Sequence, residues 1–594
     1  MKTCKVCSYK NIKSAIYCYN CGRNLSENPS YRKIVLLSII FLILLFIGLY
    51  IYKLINVKTP AEKFLPENTF QLYEFYDLEK TINAFMNTHE AKILKSINLK
   101  KLTTDLDIPK PVTEIFNSYI SYIRSFDTDL LYNLFGTYTA VGLIPDEFNS
   151  LEANFSNFYK KIVSGFVIIT RPKYGGDILN FIRKFVPLLK KHQSVEYNNH
   201  NIYWFESNLK NKIYYCIIDG LLITGFTQDA IIKCLDTQKK QVMSLSNNPL
   251  YQKLRNKNKS KNLKLFTYSN ISVIYKHLLN LLRQKVKDKQ ELNIFYDYYK
   301  HLSKDNAFSY SISFHNNMIK TSSAYFVQKK LNVQLSKNKT LGWIPENSLF
   351  YFCYNAFNLS ELRDLFNNEK FKRFFQMFNI KIDRAKIVEL FEIVNGQLSI
   401  ILTDVISEKF LPAPQLTLLL RIKNKETMKK IINELTPQYL VPAQEEHNIY
   451  KISYFNIPYL SNISPSYSFI NDYFLISLNY QCIKDIINTK ESIDINIMNN
   501  NLFKKIYHKF SKNDNIVMFI NVSDSIEKIR KIINWLTSIS ALFDITLASK
   551  VDIVRKELIF PFLNISKRCK AYGMHVNYSD NSIVSNSYIY LHND

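Results

Sequence analysis

Cys4, Cys7, Cys18 and Cys21 are the residues of this chain whose types and spacing best suit chemistry. They form a C-x2-C-x10-C-x2-C pattern. Each C-x-x-C lets two thiolates of one tight turn hold the same ion, and two such knuckles complete a tetrahedral S4 site for a structural Zn²⁺. Gly22, directly after Cys21, supplies the positive-φ position such a turn uses. Four thiolates and one divalent ion leave a net −2, which Lys2, Lys5, Lys10 and Lys13 can offset. A segment this short has no core, so metal binding is its folding energy. With all four ligand positions filled by protein, the site is closed to catalysis. Two rival readings are weaker. Disulfides are disfavoured in a reducing cytoplasm, and redox chemistry of a C-x-x-C requires a thioredoxin-like fold around it.

The stretch CKVCSYKNIKSAIYCYNCGRNL resembles the short zinc ribbons at the N-termini of many bacterial membrane proteins, most closely at YCYNCGRNL. Lys5 and Ser8 stand where such ribbons usually carry proline and glycine. The resemblance implies a ribbon over residues 1–26 ahead of a membrane segment.

That segment is Ile34 to Tyr52, 19 residues without a charge. At ~1.5 Å per residue a helix of this length matches the hydrocarbon core of a bilayer. Lys33 and Lys53 bracket it, and Tyr50 and Tyr52 suit the headgroup belt. A cleaved signal is the competing reading. The long leading region and the lack of a small-x-small cleavage site argue against it. Before the anchor, seven basic side chains face the single acid Glu27; residues 53–80 carry four lysines against five acids. The positive-inside bias puts the N-terminus in the cytoplasm. The expected protein is a single-pass, type II cell-membrane protein, bound to the bilayer through residues 34–52, with its C-terminal body outside the cytoplasm.

Beyond residue 58 the chain reads as one text written twice. Phe64-Leu-Pro-Glu-Asn-Thr69 recurs as Trp343-Ile-Pro-Glu-Asn-Ser348, and His200-Asn-Ile-Tyr203 as His447-Asn-Ile-Tyr450. Phe135–Val141 answers Asn395–Ile401, and Asp219–Thr224 answers Asp472–Ser477. Asn248–Lys253 answers Asn500–Lys505, and each copy ends in a hairpin, 310–326 and 573–591, turning on His315-Asn-Asn317 and Ser579-Asp-Asn581. The expected fold class is α+β: the ribbon, one transmembrane helix, then two homologous α+β repeats, 60–332 and 340–594, with mostly antiparallel sheet. Alternation such as Ser309-Tyr-Ser-Ile-Ser-Phe314 indicates a sheet with one face covered. The Lys/Asn-rich stretch Lys253–Lys264 reads as a loop.

The Leu-Pro-Glu-Asn-Thr opening after a transmembrane helix resembles an uncharacterised bacterial family of membrane-anchored ectodomain proteins, over about residues 60–594. That resemblance implies an envelope location and carries no catalytic residues. In architecture alone, the layout is similar to staphylococcal teicoplanin-resistance-associated membrane proteins.

Catalytic signatures are scarce. No phosphate-cradling G-x-x-x-x-G-K-[ST] or G-x-G-x-x-G occurs, and only 12 glycines are available to build one. Neither H-E-x-x-H nor G-x-S-x-G is present. Gly175-Gly176-Asp177 suits a helix cap better than an anion nest. His200 beside Glu196, and His447 beside Glu445 and Glu446, form a matched acid–base or metal pair on paper; a polar loop entering a strand is the simpler reading. Asp127-Thr-Asp129 and Thr104-Asp-Leu-Asp107 read as caps or solvated turns. Cys216, Cys234, Cys353, Cys482 and Cys569 read as buried thiols rather than a disulfide framework. Of the net charge of +27, +6 precedes the anchor and +21 follows it. Anionic lipid or an acidic wall polymer is therefore a physical partner for the body, and a cytoplasmic protein for the ribbon. Nucleic acid is disfavoured because the basic bulk lies outside the cytoplasm. Three functions follow in order: a non-catalytic binding or scaffold body, a carrier or sensor of a hydrophobic envelope ligand (lipid, glycan or peptide), and an envelope hydrolase with an unfamiliar site.

Overall fold

The computed structural model describes residues 1–25, 59–86, 88–96, 106, 136–145, 164–172, 193–206, 212–276, 279, 306–327, 338–358, 389, 392–406, 412–436, 441–457, 462–491, 495–510, 514–579 and 581–592. The expected anchor, 34–52, lies outside them. Among the described residues no helix is long and apolar enough to cross a membrane. The protein is mixed α+β with a large antiparallel sheet and a cysteine cluster near its N-terminus.

The N-terminal ribbon contains two short strands, β1 (Lys2–Thr3) and β2 (Lys10–Asn11), paired antiparallel. The body begins with β3 (Gln71–Tyr76), β4 (Tyr138–Leu143), β5 (Phe166–Arg171), β6 (Gln193–Tyr197) and β7 (His200–Glu206). There follow β8 (Lys212–Ile218), β9 (Leu221–Gly225), β10 (Leu263–Asn270), β11 (Ala307–His315) and β12 (Met318–Phe326). The second series is β13 (Phe350–Asn358), β14 (Val394–Ile406), β15 (Ala413–Ile422), β16 (Ala443–His447) and β17 (Tyr450–Tyr454). It closes with β18 (Ser466–Ile470), β19 (Tyr473–Ser477), β20 (Ile516–Asn521), β21 (Cys569–Ser579) and β22 (Ser582–Leu591).

These 20 strands form one sheet. Followed through their hydrogen bonds, they stand in the order β6-β7-β8-β9-β5-β4-β3-β10-β11-β12. The order then continues β22-β21-β20-β13-β14-β15-β19-β18-β17-β16. Counted inward from either edge, the strands appear in the same relative order. The join is β12 against β22, antiparallel, with Met318 opposite Tyr590, Phe326 opposite Ser582 and Ser322 opposite Asn586. Position for position, each strand presents to the other what the other presents to it, so the pairing has a local two-fold at Ser322 and Asn586.

Open twisted sheets seldom exceed ~10 strands without curling or splitting, and here the apolar interior divides at the join. One core gathers Phe64, Leu65, Leu72, Ile169, Ile223 and Phe266 under the helices Gln228–Gln238 and Pro249–Lys257. The other gathers Tyr351, Ile401, Leu419, Leu475, Phe503 and Phe519 under Tyr480–Glu491 and Asn501–Tyr507. Helix Lys425–Leu435 lies on the opposite face. Leu419 and Leu475 belong to the second core, whereas their neighbours Leu420 and Phe474 meet Met428 and Ile431, as alternation of side chains across a strand requires.

The Leu-Pro-Glu-Asn-Thr and Ile-Pro-Glu-Asn-Ser segments do the same structural work. Thr69 and Ser348 donate their hydroxyls to the Pro66 and Pro345 carbonyls, at 2.6 and 2.8 Å. Asn248 and Asn500 cap the helices that follow, each Oδ1 accepting from two amides at 2.9 and 3.0 Å. Their Nδ2 groups reach back to the Glu67 and Glu346 carbonyls.

One sequence reading is corrected. Lys253–Lys264 is not a loop: helix Pro249–Lys257 fills its first part, because the Asn248 cap starts a turn whose Tyr251 and Leu254 are buried three residues apart. In β11 the face that is covered is the one that carries the serines. Ser309, Ser311 and Ser313 are buried while Tyr310 and Ile312 are half-exposed. Small side chains admit the end of the Pro249–Lys257 helix, whose cap residue Asn258 donates to Ser309 Oγ at 2.8 Å and accepts from Ser311 at 2.9 Å.

Candidate metal centre

The two knuckles share one backbone design. The Cys4 amide donates to the Tyr9 carbonyl and the Ser8 amide to the Cys4 carbonyl, both at 2.9 Å. The Cys18 amide donates to Arg23 at 2.7 Å and the Gly22 amide to Cys18 at 2.8 Å. Ser8 and Gly22 both adopt left-handed φ, 58° and 68°. Glycine takes this freely, whereas an L-residue pays ~1–2 kcal/mol, so the first knuckle is the more strained. Asn11 joins the two. Its buried amide donates to the Tyr9 carbonyl at 3.0 Å and reaches Cys18 Sγ at 3.5 Å, while its Oδ1 accepts from the Tyr19 amide at 2.9 Å.

All four sulfurs lie within 4.8 Å of one another, Cys4 to Cys21 at 3.6 Å and Cys7 to Cys18 at 3.5 Å. A tetrahedron with ~2.3 Å metal–sulfur bonds has edges of ~3.8 Å, so the donor set fits a metal ion. A disulfide would need ~2.05 Å; all nine cysteines are free thiols. The amides of Val6 and Cys7 lower the Cys4 thiol. Burial raises Cys18, but the amides of Asn20 and Cys21, with Asn11, outweigh it and bring it to about 6. At Cys21 the Arg23 amide pulls down, while the crowding of Cys7, Cys4 and Cys18 prevails and pushes it up to about 12. Four thiols this close cannot all ionise without a cation between them, and this cluster can bind one.

The other site readings separate. His200 opens β7 and His447 closes β16, at opposite edges of the sheet. His447 Nε2 lies 2.7 Å from Asn488 Oδ1, and Glu445 pairs with Lys484 at 2.6 Å. The turns beside the histidines use left-handed Asn198, Asn199 and Asn448, so these residues serve hairpins. Cys216, Cys234, Cys353 and Cys482 are buried, and burial pushes Cys216 and Cys482 up to about 11 and Cys234 up to about 12, the state of an inert thiol. Gly175–Asp177, Asp127–Asp129, Asp105 and Asp107 lie outside the described residues.

Sequence reading missed two buried polar nests, at equal distances from the β12–β22 join. In the first, Glu74 of β3 is wholly buried. It accepts from Tyr138 at 2.5 Å and from Tyr76 at 3.1 Å, and pairs with Arg255 at 2.8 Å. Arg255 also bonds Tyr76 and lies 4.2 Å over the Phe266 ring. Burial opposes the Arg255 charge, and Glu74 outweighs it. In the second, Cys353 of β13 is wholly buried. It lies 3.1 Å from both Asn355 Oδ1 and Gln397 Nε2, and Gln397 also bonds Thr340, Asn338 and Tyr473. The signal for Glu74 was present in the sequence, since it continues the inward positions Phe70 and Leu72 of its strand.

No family model matches the chain, and no curated protein matches it. It is similar to a solved structure described as "Structure of crystal form III of TP0453", at 10% identity over 47% of this chain and 89% of that one, with a TM-score of 0.21. A likeness of that size carries no argument about fold or function.

Proposed function

We propose that this is a single-pass cell-envelope protein: a zinc ribbon in the cytoplasm, residues 34–52 in the bilayer, and a non-catalytic binding or scaffold body on the far side. The observation that carries it is the uncharged 19-residue run standing between the thiol cluster and the sheet. Zinc is the metal favoured by a closed, all-thiolate site. The body would be a tandem duplication, a reading supported by the strand order repeated from both edges and by the twin Asn248 and Asn500 caps. In it, the first copy's anchor-proximal segment, Ala61–Lys63 and Phe64, packs into the core, so the body would sit close to the membrane.

Proteinase added to intact spheroplasts tests the topology. The expected outcome is digestion of 60–594 with the N-terminal 33 residues protected; a protected body overturns it. Purified full chain in detergent is expected to carry one zinc per chain by elemental analysis, and Cys18→Ser to lose it while the sheet keeps its melting temperature.

A further inference from the structure

The helix Lys425–Leu435 and the strands β16–β18 enclose a cleft of about 630 Å³, within the ~300–1,000 Å³ range of small-molecule sites. Three ammonium-bearing side chains, Lys425, Lys429 and Lys451, line it, and among the described residues no carboxylate does. Three acids stand at its margin: Glu426 pairs with Lys429 at 2.8 Å, Asp472 pairs with Arg421 at 2.8 Å, and Glu446 lies opposite Lys451 in the β16–β17 pair. The lining thus carries positive charge while the carboxylates stand at its margin, and an anionic ligand is drawn to it.

The wall opposite is aromatic. Tyr467 and Phe469 line the cleft and are braced by Phe474, at ring separations of 6.1 and 5.1 Å. Asn433, on the helix, adds an amide that can both donate and accept. These walls sit on rigid elements: the helix is capped by Asn424 and pinned by buried Met428 and Ile431. Lys425 Nζ stands 5.5 Å over the Phe469 ring, so a ligand whose phosphate draws the ammonium aside frees a ring face on which a sugar's C–H face can stack while its hydroxyls take the amide. The lysines suit a phosphate as point charges.

We propose that this cleft binds a phosphorylated sugar. The proposal rests on the binding role put forward above and names its ligand class, but it needs no membrane topology. The test is calorimetric titration of full-length protein in detergent with glucose 6-phosphate, glucose and inorganic phosphate in separate arms. Glucose 6-phosphate is expected to bind at least tenfold more tightly than either part. Lys425→Gln with Lys451→Gln should weaken it tenfold or more at unchanged melting temperature, and Phe469→Leu, which keeps the packing but removes the ring face, should erase the advantage over phosphate. Equal affinity for phosphate and glucose 6-phosphate would reduce the site to a bare anion site and overturn the sugar. The absence of saturable binding, or affinity untouched by the lysine pair, overturns the cleft itself. Failure in the protease experiment would leave these results standing, so the two ideas fall separately.

Discussion

The two buried nests occupy the same place on either side of the β12–β22 join, yet one is ionic and the other neutral. Glu74 lies opposite Ala140 on β4, and Cys353 opposite Ser399 on β14. Counting from the twin caps Asn248 and Asn500, Arg255 corresponds to Tyr507. The acid and the base are therefore exchanged together: where the sheet loses its carboxylate, the helix loses its guanidinium. The neighbouring positions change in step. Asn258 with Ser309 and Ser311 on one side becomes Phe510 with Gly573 and His575 on the other, where the Phe510 ring lies 4.9 Å from His575. At Gly573 a Cβ would fall 2.2 Å from Ile506 Cγ2 and 3.1 Å from Phe510 Cζ, so the helix side chains at this point are met by the smallest residue on the strand side.

The largest effect should come from breaking the ionic nest. Arg255→Ala leaves Glu74 charged and buried, and is expected to cost ~3–5 kcal/mol of folding stability. Gln397→Ala, which only removes neutral hydrogen bonds, should cost ~1–3 kcal/mol. Denaturant titration of the two variants measures both, and a smaller loss for Arg255→Ala would erase the contrast. Glu74→Cys combined with Arg255→Tyr, which copies the second nest into the first, should recover most of the loss.

The ionic nest should also make one half sensitive to pH. Burial, and then the Glu74 charge, raise Glu62 from 4.5 to about 7, against partial relief from Arg255 and Lys63. A carboxyl raised in the folded state binds its proton more readily there than when unfolded. Its contribution is therefore full below about 4.5 and fades as pH climbs through about 7. Stability should fall by up to ~3 kcal/mol across that window, and Glu62→Gln should flatten the profile in melts taken from pH 4 to 8.

The smallest effect is also the control. Asn248→Ala and Asn500→Ala remove caps of matching geometry, so each should cost ~1–2 kcal/mol. Unequal losses would mean that the halves differ beyond their nests.

Several of these features were legible in the sequence. The cysteine spacing located the cluster, and the alternation in 310–326 and 573–591 located the two hairpins, because local turn chemistry and a period of two determine both. The inward-facing serines of β11 ran against the usual rule, since only the helix packed above makes small polar residues the better fit. The sheet register also shifts the sequence pairing of Phe135–Val141 with Asn395–Ile401 by one residue. A bulge between Tyr354 and Phe357 absorbs the extra position, bringing Gln397 rather than Leu398 to the place of Tyr138. Neither the β12–β22 join nor the cleft beside Phe469 could be read from the chain, since each depends on residues far apart in sequence.

The outermost strands, Gln193–Tyr197 and Ala443–His447, are only five residues long, and both bear carboxylates: Glu196 on one, Glu445 and Glu446 on the other. A strand rim invites another molecule to add on, and among the described residues this sheet ends in such a rim at both sides. Glu445 is already paired with Lys484 at 2.6 Å, so two molecules meeting rim to rim would bring Glu196 or Glu446 against like charge, over a contact of only five residues. Short rims that carry charge disfavour edge-to-edge growth at each terminus of the array.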